Sequence, residues 1–95
     1  MPKEDLLELK KTTQFRKDLK RAVKRNFDID LLDEIIQALR GRKPLDPKHR
    51  DHALTGDYAG FRECHIQSDW LLIYMIDGDN IILTASRTGT HSDLF

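Results

Sequence analysis

A single cysteine, Cys64, stands among 95 residues, so no disulfide can close within the chain. A lone thiol fits a reduced core residue in the cytoplasm. Long apolar runs are missing as well. The stretch from Trp70 to Ile76 has the length of a strand and is too short to cross a bilayer. The opening residues Met-Pro-Lys-Glu-Asp hold no apolar h-region, so no signal peptide and no membrane partner are expected. Net charge is zero and argues neither for nor against a polyanionic partner. Cations are scarce in the second half: beyond Asp51 only Arg62 and Arg87 remain of 16 Lys and Arg.

What is present is unevenly distributed. From Lys10 to Arg50 there are 13 Lys or Arg against six acids, and from Asp51 onward two against seven. All four histidines, His49, His52, His65 and His91, lie in or beyond the loop that ends the basic half. A basic half can follow a phosphate backbone while a separate face does acid–base chemistry. A hydrophobic share of 39% beside 34% charge is globular rather than disordered, and the length suits one domain, residues 1–95.

The pattern predicts an α+β fold in the order β-α-α-β-β-β, with a helix hairpin packed on a small, mostly antiparallel sheet. Leu6 to Leu9 reads as a first strand ended by Lys10 and Lys11. Thr12 or Thr13 caps a basic amphipathic helix with Phe15, Leu19, Ala22 and Val23 on its apolar face. Its remaining positions carry Lys17, Lys20, Arg21, Lys24 and Arg25. Asp28 or Asp30 caps a second helix that stops at Gly41. Residues 42–58 form a long loop. Three strands follow, Phe61 to Ile66, Trp70 to Ile76 and Ile81 to Arg87, with a turn at Asp77-Gly78-Asp79-Asn80.

Alternation puts Phe61, Glu63 and His65 on one face of the first of these strands, and Cys64 and Ile66 on the other. An exposed strand face with an incidental ion pair would look the same. The same count puts Leu83, Ala85 and Arg87 together on the last strand. Gly89 lets the backbone turn and bring His91 back near Arg87. Trp70 and Phe95 are core plugs or stacking platforms. His49 reads as a solvated loop residue. One cysteine and no closed four-ligand spacing argue against zinc, so no metal and no cofactor are expected.

Four ordered blocks, residues 50–56, 60–66, 69–74 and 87–95, together closely resemble the YafQ-like branch of the RelE/ParE toxin superfamily. The resemblance runs from about Thr12 to Phe95, and Met1 to Glu4 look like an extension. It implies a bacterial type II toxin, a ribosome-dependent endoribonuclease that cuts messenger RNA. It also implies a cognate antitoxin partner, with operator DNA met only through that antitoxin. The family's functional positions fall on His52, Glu63, His65, Asp69, Trp70, Arg87, His91 and Phe95. Glu63 departs from an aspartate familiar there, and Ser68 from a proline before the Asp-Trp pair.

Metal-free RNA cleavage needs a base for the 2′-OH, an acid for the leaving oxygen and a cation for the phosphorane. On this reading Arg87 is the cation and His91 the acid. His65 or Glu63 is the base, His52 competes for an acid–base role, and Asp69 orients an imidazole. Trp70 and Phe95 pack or stack near a nucleotide, and Lys17, Lys20, Arg21, Lys24 and Arg25 grip RNA phosphates. The rivals are a ParE-like gyrase poison of the same fold and a non-catalytic binding module.

Overall fold

The structure, a computed structural model, describes residues 6–95. The expected extension, Met1 to Glu4, lies outside the described residues. The elements run β1 (Glu8–Lys11), α1 (Thr13–Lys24), α2 (Ile29–Arg40), β2 (His52–Ala53), β3 (Arg62–Gln67), β4 (Trp70–Asp77), β5 (Ile82–Gly89) and α3 (His91–Leu94). Single 3₁₀ turns at Pro47–His49 and Gly56–Tyr58 interrupt the long loop. One five-stranded sheet has the order β1-β5-β4-β3-β2. Only the β1–β5 pair is parallel. The α+β class and the order of the main elements hold.

Local chemistry explains the helix ends. The Thr12 hydroxyl accepts the Phe15 N–H at 2.9 Å, and the Asp28 carboxylate accepts that of Leu31 at 3.3 Å. Gly41 ends α2. The helices cover one face of the sheet. Phe15, Ala22, Leu32, Ile35, Ile36 and Leu39 pack there with Cys64, Leu72, Tyr74, Leu83 and Ala85. Burial pushes the Cys64 thiol up to about 12, so it stays neutral in the core.

Several expectations shift. The first strand begins at Glu8, and Lys10 and Lys11 belong to it, paired with Thr84 and Ala85. It is an edge strand, where outward lysines are favourable. Val23 is 55% exposed and leaves the apolar face of α1, whose buried residues are Phe15, Asp18 and Ala22. β2 and α3 were not anticipated, being too short for a period to show.

The last strand carries the main correction. Ile73 pairs with Arg87 but Tyr74 pairs with Ala85, so Ser86 is an extra residue in β5. Such a bulge resets the alternation. Leu83 and Ala85 stay in the core under the helices, and Arg87 leaves their face.

The sheet's opposite face holds a smaller cluster of Leu71, Ile73 and Leu94, with Leu54, Tyr58 and Phe61 against it. Leu94 anchors the C-terminal turn there at 7% exposure, which contributes roughly 2 kcal/mol.

Candidate active site

Residues directly paired across a sheet share a face. His52 pairs with Glu63, Glu63 with Ile73, and Ile73 with Arg87. A single row therefore crosses four strands, an imidazole and a carboxylate on one side of Ile73 and a guanidinium on the other. Strand spacing puts Glu63 and Arg87 about 10 Å apart at the backbone, within reach of one dinucleotide. The next row pairs His65 with Leu71 and Leu71 with Gly89. His65 thus stands beside Glu63 on the same face. Glu63 as a whole residue is 4% exposed. His52 Nε2 lies 3.4 Å from it and His65 Nε2 3.9 Å. His52 Nδ1 donates to the Arg50 carbonyl, which turns Nε2 toward Glu63.

The tail closes over this face. Gly89 leads from β5 into α3 at a φ of +159°, a conformation that L side chains rarely adopt. A Cβ on Gly89 would sit 2.9 Å from Asp93, and that close approach also requires glycine. Thr90 and Asp93 form a reciprocal capping box. Asp93 also takes Arg25 at 2.7 and 3.3 Å and Arg21 at 3.3 Å. Arg21 of α1 and Arg25 at its C-cap therefore fix the turn that carries His91. The His91 ring centre lies 5.8 Å from that of His65. Asp69 accepts both the His91 backbone N–H, at 3.1 Å, and its ring Nδ1–H. That leaves Nε2 to face a substrate.

Arg87 is held from the side. Its Nε and Nη2 donate to Asp18 at 2.8 and 3.2 Å. Asp18 is 2% exposed and was absent from the expected site. Burial alone would raise its pKa, but hydrogen bonds from Arg87, Gln14 and the Thr88 N–H outweigh burial and lower it.

Other expected residues fall differently. Trp70 is 3% exposed, packs 4.9 Å from Phe27 and donates its indole N–H to Thr88. It is a core residue and offers no face for stacking. Phe95 is 61% exposed, 6.2 Å from His91 and 5.5 Å from Tyr58, and is open to a base. Arg21 and Arg25 are engaged with Asp93, whereas Lys17, Lys20 and Lys24 make no ion pair among the described residues. His49 is half-buried, and its Nδ1–H donates to the His65 carbonyl at 2.7 Å. It is a strut for β3 rather than a solvated residue. A groove of about 640 Å³ opens beside His65 and His91, with Lys48 and Arg50 on its rim.

Glu63, His65 and His91 each offer a ligand atom, all within 4.8 Å of one another. That set fits a divalent ion, despite the expectation of none. An ion would occupy the lone pairs that proton transfer uses.

Three carboxyl groups here lie below their ordinary value of 3.8. Arg25 and the Thr90 N–H hold Asp93 down, the His91 ring and N–H hold Asp69, and Asp18 is lowered as above. A depressed folded-state pKa gives stability that is complete above the unfolded value and lost as pH falls through the folded one. Thermal unfolding midpoints should therefore be insensitive to these groups from pH 7 to about 5 and drop below about pH 4. Asp93→Asn should flatten part of that drop. Parallel profiles for variant and wild type would contradict the role of Asp93.

The fold and site define a small α+β protein with imidazoles, carboxylates and one guanidinium on the less covered face of its sheet. Residues 7–95 match the family described as bacterial toxin of type II toxin–antitoxin system, YafQ. The chain is 39% identical over 83 residues to the mRNA interferase toxin YafQ of Escherichia coli K12, covering 86% of this chain and 88% of that protein. A metal-bound toxin from Helicobacter pylori superposes with a TM-score of 0.89 at 42% identity, over 95% of this chain and all of that one. YafQ in the E. coli DinJ–YafQ toxin–antitoxin complex gives 0.85 at 35% identity, over 95% and 98%. The chain belongs to the YafQ family of type II toxins.

Proposed function

We propose that this chain is an endoribonuclease toxin that cuts messenger RNA on the ribosome by metal-free attack of a ribose 2′-OH on the adjacent phosphate. The observation that carries this reading is the convergence of Glu63, His65 and His91 within 4.8 Å on the face that also bears Arg87.

Glu63 lies beneath two imidazoles, and its side chain is 6% exposed against 20% for His65. A 2′-OH therefore meets His65 first. His65 is the base, and Glu63 orients it and His52. His91, backed by the Asp69 carboxylate, protonates the leaving 5′-oxygen. Arg87 meets the phosphorane charge. Phe95 stacks on a neighbouring base, beside Tyr58. Lys17, Lys20 and Lys24, with Lys48 and Arg50 on the groove rim, hold phosphates of the message or the ribosome. Trp70 supports β4 from within.

The relative bound to DinJ supports a protein antitoxin for this chain as well, and operator DNA would be reached only through it. No helix among the described residues is long and apolar enough to cross a membrane. The site of action is the ribosome, in the cytoplasm.

Primer extension after induction tests the reading. A translated message should show new 5′ ends inside its coding region, and the same message without its start codon should show none. Equal cutting of both would remove the ribosome from the account. Absence of cuts beside growth arrest would favour the gyrase-poison reading.

A further inference from the structure

Every cation on α1 faces outward or toward the tail, yet the helix also carries one buried acid. Asp18 has a fully buried side chain and four hydrogen bonds. One oxygen accepts Gln14 Nε2 at 3.1 Å and Arg87 Nη2 at 3.2 Å. The other accepts Arg87 Nε at 2.8 Å and the Thr88 N–H at 3.2 Å. Backbone topology explains the last bond. β1 stops pairing with β5 at Lys11 opposite Ala85, and the chain turns into α1. The edge of β5 beyond that point lacks a strand partner, and the carboxylate takes its place at Thr88.

We propose that Asp18 is a positioning residue for Arg87, fixing which edge of the guanidinium meets the scissile phosphate. This rests on the reading that Arg87 stabilises the phosphorane. Asp18 occupies the Nε–Nη2 edge, so the phosphate is met end-on by Nη1 and the second proton of Nη2. A neighbouring carboxylate weakens the cation's field. What it supplies is orientation: the fork is held before substrate arrives, and nothing reorganises during the step. Arg87 side chains free to rotate would bind phosphate as well but meet the transition state less often.

Asp18→Asn keeps the shape and an acceptor for Thr88 but breaks the charged clamp. Its single-turnover cleavage rate on ribosomes should fall by roughly 10–100-fold, with half-saturation unchanged because the lysines still hold the RNA. In an Arg87→Ala background the same change should cost less than about twofold, because Asp18 then has nothing to position. A merely structural residue would cost the same in both backgrounds. Far-ultraviolet circular dichroism and a melting curve identify any variant that fails to fold. In that case Gln14→Ala, which removes one bond from Asp18 at an exposed position, is read by the same criterion, with a loss of about threefold in the wild-type background only. Asp18→Asn at wild-type rate beside a slow Arg87→Ala would overturn the Asp18 proposal alone. Equal losses in both backgrounds would overturn it too. A fully active Arg87→Ala would instead bring down the reading beneath it, and Asp18's role with it.

Discussion

Replacing Arg87 by alanine is expected to slow message cleavage by about 10²–10³ and also to destabilise the protein by roughly 2–3 kcal/mol. The two losses have different origins. The rate falls because no other arginine or lysine stands in the row formed by His52, Glu63, Ile73 and Arg87. Stability falls because Asp18, at 2% exposure, keeps a charge and loses its ion-pair partner. The Arg87 side chain is 25% exposed, so water entering from that side keeps the cost below that of a fully buried pair. Single-turnover cleavage and urea unfolding measure the two effects separately. A variant as stable as wild type would mean that the Asp18 contact is worth little.

His91→Ala should separate the same two quantities. Loss of a general acid lowers the rate by about 10²–10⁴. The imidazole is 55% exposed and packs on little beyond Asp69, His65 and Phe95, so stability should change by less than about 0.5 kcal/mol. The anchors of the turn, Leu94 and Asp93, remain in place. His91→Ala is therefore the cleaner test of chemistry, and Arg87→Ala the test of how chemistry and fold are joined. A His91→Ala protein that cuts at the wild-type rate would remove the acid from the mechanism.

Much of this was legible in the residue pattern. Periods of 3.6 and 2 gave the two long helices and the three antiparallel strands, and short polar side chains marked the caps at Thr12 and Asp28. Alternation correctly placed Glu63 beside His65. It failed at Arg87, because a one-residue bulge leaves no mark in a run such as Leu83-Thr84-Ala85-Ser86-Arg87.

Three missed residues did leave a signal. Asp18 stands three residues after Phe15 and four before Ala22, the phase of the buried stripe. An acid at that phase on so basic a helix calls for a buried cation. Thr90 and Asp93, three residues apart, have the spacing of a capping box and foretell a helix start. Trp70 could not be sorted from sequence: an aromatic at a strand start serves core or ligand equally well until its neighbours are known. His49 was likewise undecidable, because its partner is a backbone carbonyl.

The most direct test of the mechanism removes one oxygen atom from the substrate. A translated message carrying a single 2′-deoxyribose on the 5′ side of the mapped cleavage site should remain whole at that position. The all-ribose message should be cut there and leave a 2′,3′-cyclic phosphate. Cleavage of the deoxy-substituted position at a comparable rate would contradict the account, whatever the variants show.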